Sequence, residues 1–439
     1  MRRYVFVGTG IAALSAAEAV RETDSRARIT IVSNEPHPFY SRPGLAYFIT
    51  GEVPESALHI RTRAELQDLR FERLNGAAVR ADTEEHQLVL ADGRTLAYDR
   101  LLLAPGAASV APAFEGAGLS GIVTLDGLDD ARALRALTQR RRRAVVIGGG
   151  ITALEIVEGL AARGADTHYF LRSDRYWARV LDSPEARAVE SRLEREGVHL
   201  HHRTEIARAL GRKGRLTAVE TRAGERIECD VLAFAAGVRP RLEVAAASGL
   251  HVERGIVTDE FLRTSDADVF AAGDAAEVRD AGSDTSLLDT LWATATAHGR
   301  AAGRTMAGST TQYRREPAIN VTRLAGLTTT IIGAVEGGGE DEDLVTITRG
   351  QSERWRAAAN AWNLRGDPGE NRVRVVFGAE RILGAVIMGD QALSRPLQQL
   401  IAARADTREL RTTLRAHTHA LVPLITDFYE RWVERAAAA

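Results

Sequence analysis

The sequence predicts an α/β fold with two Rossmann-like dinucleotide-binding units and a C-terminal α+β unit. Three observations carry that prediction. A short apolar strand, a glycine-rich turn and an alanine-rich helical pattern occur at YVFVGTGIAALSAAEAV, residues 4–20, and again at AVVIGGGITALEIVEGLAARG, residues 144–164. Each is followed by a second strand, ARITIVS ending at Ser33 and THYFLR ending at Arg172, which completes a βαβ opening. From about Thr311 the strand-like runs TTTIIGAV and RVRVVFGAERILGAVIMG alternate with turns, and helical patterns follow from Ala392.

The first turn, Gly8-Thr9-Gly10-Ile11-Ala12-Ala13, closes a strand and opens a helix, the context in which GxGxxG/A has a mechanism. Gly8 permits the tight turn, Gly10 lets a pyrophosphate approach the backbone at the helix N-terminus, and Ala13 allows close helix packing. Alone the pattern is also compatible with a chance glycine turn. Glu35, just past the second strand, adds a carboxylate placed to accept hydrogen bonds from an adenosine ribose. Gly148-Gly149-Gly150-Ile151-Thr152-Ala153 repeats the signature, but Leu171 and Arg172 stand where that second carboxylate should lie. Arg172 reads either as a fork for a 2′-phosphate, favouring NADPH, or as a solvated arginine beside Arg175.

Composition narrows the function classes. With 439 residues, 45% hydrophobic and 26% charged, the chain can bury two or three cores. A formal charge of -2 gives no long-range reason to expect a nucleic-acid partner. No apolar run approaches the ~20 residues of a spanning helix, and Met1-Arg2-Arg3 leads straight into a strand, so no membrane insertion and a cytoplasmic setting are expected. Lys213 is the only lysine, so lysine-dependent chemistry is nearly excluded. Cys229 is the only cysteine, which removes an intramolecular disulfide and any CxxC motif. Its apolar run, Cys229 to Phe234, reads as a strand with a buried thiol. His201-His202 and His417-Thr418-His419 lack helical i, i+4 spacing and an acidic partner at motif spacing, and read as strand-edge and loop histidines. Gly337-Gly338-Gly339 with the acidic Glu340 to Asp343 reads as an exposed hairpin tip.

Further motifs resemble those of the two-dinucleotide flavoproteins, the pyridine-nucleotide-dependent oxidoreductases, over nearly the first 310 residues. Tyr98 to Gly106 resembles the YDxLxxATG segment, with Pro105 in place of threonine, and Ala235 to Pro240 resembles the second such crossing. Thr264-Ser265 with Val269 to Asp274 resembles TSxxxIYAAGD, and Leu291 to Ala295 before His298-Gly299-Arg300 resembles the helix that approaches the flavin. Pro43 stands where a redox cysteine stands in the coenzyme-A-disulfide-reductase branch. The YSRPxL run is similar to rubredoxin reductases and to the flavin portion of assimilatory nitrite and nitrate reductases, a branch that RILGAVIMGD, residues 381–390, also resembles.

The resemblance implies an FAD unit at 1–112 and 250–310, an NAD(P)H unit at 113–249 and an α+β unit at 311–439. It assigns Asp274 to the ribityl chain, sets Arg42 along FAD, and places Val79, Ala104, Gly106, Gly273, Thr294 and, at the second crossing, Gly237 among the cofactor contacts. Glu155 falls where relatives set a glutamate near flavin N5, or serves helix packing. The lysine that pairs with it in many relatives is absent from Leu45-Ala46-Tyr47, so Tyr47 or Arg42 is expected within its reach. Hydride passes from NADPH or NADH to FAD, and without cysteines the electrons leave directly from the flavin. The expected acceptor is a redox or iron–sulfur protein, with a quinone or a redox-responsive, apoptosis-inducing-factor-like binding role as alternatives.

Overall fold

The run Arg3–Val7 becomes the middle strand of a five-stranded parallel sheet in the computed structural model. Across that sheet lie Val269–Ala271, Arg100–Leu103, Arg3–Val7, Arg28–Ser33 and Phe71–Asn75. Val7 stands opposite both Val32 and Leu103, so three strands end together at the crevice where the Gly8 turn begins. Their side chains are buried on both faces, as continuous apolar strands of a parallel sheet must be. The structure describes all residues except 138–141, 280–285, 311, 334, 336–361, 367–370, 417–420 and 439, so Gly337 to Asp343 and His417 to His419 lie outside the described residues.

The chain leaves this sheet after Leu103 and returns to it at Val269. Between lies a second parallel sheet, ordered His199–His202, Asp166–Leu171, Arg143–Ile147, Val231–Phe234 and Ile122–Val123. Ile147 ends opposite Phe170 and Phe234, which repeats the geometry of the first crevice.

Alanine and glycine dominate two helices for a packing reason. A Cβ on Gly299 would stand 2.1 Å from the Ala12 carbonyl oxygen, and one on Gly303 would stand 2.5 Å from that of Ala16. The helices Ile11–Thr23 and Trp292–Met306 therefore meet backbone to backbone, with Ser15 buried between turns.

The C-terminal sheet is antiparallel, in the order Ile319–Leu324, Leu327–Gly333, Ile382–Met388, Arg372–Phe377, Trp362–Gly366. Alternation sends Ile332, Val375 and Ile387 towards the helices Ser394–Ala402 and Leu421–Ala438. It sends Ile331, Val386 and Met388 to the core of the second parallel sheet. Arg374, between two apolar neighbours, points the same way and donates to Glu185 through Nε at 2.8 Å and Nη2 at 3.1 Å, and to the Val180 carbonyl at 2.6 Å. Glu185 already closes the capping box of the helix Ser183–Arg195. No helix among the described residues is long and apolar enough to cross a membrane.

Both side chains of the Arg374–Glu185 pair are 3% exposed, so removing one strands a buried charge. Arg374→Ala should cost about 3–5 kcal/mol in urea unfolding, and Arg374→Met with Glu185→Leu should recover most of it. Equal losses in the single and double variants would count against the pair.

Candidate active site

Two glycine turns build the site. Gly8 has φ +109°, and a Cβ there would stand 2.2 Å from the Ala104 carbonyl oxygen, so only glycine lets the chain turn against the neighbouring strand. Gly10 caps the helix Ile11–Thr23 without a side-chain bond, and a Cβ on it meets nothing within 4 Å. An open cradle therefore faces the free N–H groups of the first helical turn. Ala13 is fully buried. In the second turn Gly148 has φ +148° and a Cβ would stand 2.3 Å from the Ala235 carbonyl oxygen, Gly149 faces open space, and Gly150 caps the helix Ile151–Ala162.

Just past the strand Arg28–Ser33, beside the first crevice, Glu35 accepts from the Tyr40 hydroxyl at 2.5 Å and from Arg42 Nη2 at 3.1 Å. Arg42 also donates to the Asp126 carbonyl, which ties Glu35 to the segment entering the second sheet. Two carboxylate oxygens with two donors still have lone pairs for ribose hydroxyls.

A cleft of about 610 Å³ opens at the second turn and gathers Arg42, Gly148, Gly150, Ile151, Glu155, Arg172, Gly237 and Asp274 from the sequence reading. Gly237 has φ +119° at the second crossing. Leu171 is buried, whereas Arg172 is exposed and makes no hydrogen bond or ion pair with the described residues. Arg175 is tied to the Leu181 and Ala178 carbonyls. Arg179 and Arg222 line the same cleft and escaped the sequence reading; Arg222 follows a hairpin strand, Arg215–Thr221, that no motif marks.

Gly8, Gly10, Ala13, Glu35, Val79, Ala104, Gly106, Gly273 and Thr294 do not line that cleft. Val79 lies on the strand Ala78–Asp82 and is 41% exposed. Gly106, at φ +72°, faces open space, and Gly273, at φ +75°, backs onto Ala12. Behind Gly273 the wholly buried His298 is pushed down to about 3 by burial and Arg315, so it is a neutral ring, and its N–H donates to the Gly273 carbonyl. Thr294 donates to Asp289 at 3.5 Å, and Asp289 pairs with Arg315 at 3.0 Å.

Glu155 also borders a second cavity of about 280 Å³, with Tyr47, Glu52, Glu158, Glu196 and Arg323. Tyr47 and Arg42 thus each share a cavity wall with Glu155. The cation facing this cavity comes from the C-terminal sheet: Arg323 sits 5.3 Å over the Tyr47 ring and pairs with Glu52. Burial pushes the Glu158 carboxyl up to about 7, against Arg323 and the Gly326 N–H. Cys229 is buried and free, its thiol pushed up to about 12 by burial.

Since Glu158 is raised above the 4.5 of an unperturbed glutamate, folding favours its protonated form. Stability from this group is present below pH 4.5, is lost as pH rises to about 7, and is level above that. Glu158→Gln should gain urea-unfolding midpoint relative to the parent over that window, and a difference constant with pH would contradict the assignment.

Comparison with known proteins points the same way. Residues 2–299 match the family model described as pyridine nucleotide-disulphide oxidoreductase. A rubredoxin-NAD(+) reductase of Pseudomonas putida is 32% identical over 277 residues, 63% of this chain and 72% of that one. Among solved structures, the putidaredoxin reductase–putidaredoxin covalent complex superposes with TM-score 0.81 at 22% identity, over 92% of this chain and 93% of that chain. An engineered water-forming NADPH oxidase bound to NADPH superposes with TM-score 0.81 at 21% identity, over 93% and 92%. The chain belongs to the pyridine nucleotide-disulphide oxidoreductase family, as an FAD-dependent member of its rubredoxin-reductase-like branch.

Proposed function

We propose that the chain takes a hydride from NADPH at least as readily as from NADH and passes electrons straight from its flavin to a redox protein. The observation that carries this is the single cleft running from Asp274, at the first crevice, to Arg172, beyond the second glycine turn. FAD, when bound, supplies the hydride acceptor and the electron relay. The chain supplies position. The Gly8–Gly10 turn and the helix behind it receive one pyrophosphate, Gly148–Gly150 the other, and Asp274 the ribityl chain. Phe170, Trp177 and Phe234 wall the cleft and exclude water from the transfer.

Donor choice rests on Leu171 and Arg172. Neither position offers a carboxylate to a ribose 2′-hydroxyl, Glu205 nearby is paired with Arg222, and Arg172 and Arg179 offer guanidinium forks to a 2′-phosphate. The NADPH oxidase named above carries substitutions that remove an aspartate and introduce arginines, which supports the same logic.

The acceptor reading draws on the relatives, a rubredoxin reductase and a reductase caught with putidaredoxin. With Cys229 buried, unpaired and weakly acidic, no thiol cycle intervenes. A free cysteine also fits a reducing, cytoplasmic compartment. Turnover with NADPH and a rubredoxin- or ferredoxin-type protein, well above turnover with a quinone, is the expected result; the reverse order would overturn the acceptor assignment.

Two variants test the residue roles. Gly10→Val adds a side chain to the open cradle where a Cβ meets no protein atom within 4 Å, so it should fold and lose most of its FAD; full flavin occupancy would sink the assignment. Arg172→Ala should lower the ratio of kcat/KM for NADPH over NADH about tenfold or more, the worth of charge-assisted hydrogen bonds. An unchanged ratio would return Arg172 to the solvated surface.

A further inference from the structure

The second parallel sheet carries a polar constellation away from the cleft. Its edge strand, His199–His202, pairs in parallel with Asp166–Leu171, so that His168 stands opposite His199 and Phe170 opposite His201. Side chains alternate along a strand, so Asp166 and His168 on one strand share a face with His199 and His201 on the other. His202 points to the opposite face and meets Glu190 at 3.1 Å.

On the shared face the groups are already close. His199 Nε2 lies 3.1 Å from Asp166 Oδ1, and His168 Nδ1 lies 2.9 Å from His201 Nε2. The His168 ring is 4.7 Å from that of His199 and 5.1 Å from that of His201, centre to centre. One ligand atom from each of Asp166, His168 and His199 lies within 4.8 Å of the other two. Ligands about 2.0–2.1 Å from a zinc ion stand roughly 3.3 Å apart on a tetrahedron, so small rotamer changes close the set. Asp166 and His199 are about half exposed, which leaves them free to make that change.

We propose that Asp166, His168 and His199 form a binding site for a divalent transition-metal ion of the zinc class. His201, bonded to His168 Nδ1, orients that ring and directs Nε2 to the ion. Mixed nitrogen and oxygen donors suit zinc, and three protein ligands leave a fourth position for water. None of these four residues lines the nucleotide cleft, so the site is separate from hydride transfer. The ion would fasten the edge strand to its neighbour, and binding to the folded form alone raises stability.

The test uses the full-length, FAD-loaded protein, free of any histidine tag and stripped with a chelator. Zn²⁺ is titrated in competition with a chromophoric chelator, and Co²⁺ absorption reports the geometry. The parent should take up a single Zn²⁺ per chain and melt at a higher temperature with it. Asp166→Asn and His199→Ala, both at exposed positions, should bind at least about tenfold more weakly and lose the shift in melting temperature while keeping FAD. His202→Ala, on the other face, should bind like the parent. No uptake in competition with the chelator, unchanged affinity in His199→Ala, or an equal loss in His202→Ala would each overturn the site and leave a stack of surface imidazoles.

Discussion

The architecture depends on one steric constraint, met twice. At the end of a central strand the chain must turn within van der Waals reach of the next strand's carbonyl, 2.2 Å from a Cβ at Gly8 and 2.3 Å at Gly148. Both glycines hold positive φ, where a side chain would be strained as well as blocked. The turn aims the following helix so that its unsatisfied N–H groups face the crevice at the strand ends. In the proposed reading a dinucleotide pyrophosphate would supply the missing acceptors, and two such turns in one chain would let a hydride donor and a flavin face each other.

Around these turns the fold trades side chains for proximity. The first helix approaches Trp292–Met306 so closely that Gly299 and Gly303 lie against the carbonyls of Ala12 and Ala16. That packing holds the Gly273–Asp274 turn beside the first crevice, with the neutral His298 behind it. The C-terminal sheet packs apolar side chains on both faces, and an inward charge, Arg374, is satisfied by a helix-capping carboxylate of the second sheet's unit. Arg323, from the same sheet, brings a cation to the cavity behind Glu155 in a chain whose single lysine is elsewhere.

Local patterns were legible in the sequence because their causes are local. Gly8, Gly10, Gly148 and Gly150 announce strand–turn–helix units, and the apolar runs TTTIIGAV and RILGAVIMG announce strands of the C-terminal sheet. The buried thiol of Cys229 followed from its apolar neighbours. What escaped depends on pairing between distant segments. Arg374 and Glu185 are 189 residues apart, and the carbonyl that Arg42 grips beside Glu35 belongs to Asp126, 84 residues further on. The histidines show the limit most plainly. His201 and His202 look like a pair in sequence, yet strand alternation sends them to opposite faces, and the acid that joins the cluster, Asp166, comes from the neighbouring strand. Arg222 reaches the cleft from beyond a hairpin strand, where no periodicity could have placed it.

Hydride transfer across the joined crevices, without a thiol, is the central claim, and anaerobic titration of the purified flavoprotein with NADPH tests it most directly. The account predicts that a single equivalent bleaches the flavin absorbance, with the same course when Cys229 is replaced by serine. A flavin that stays oxidised under excess NADPH and NADH, or one whose reduction requires Cys229, would contradict it.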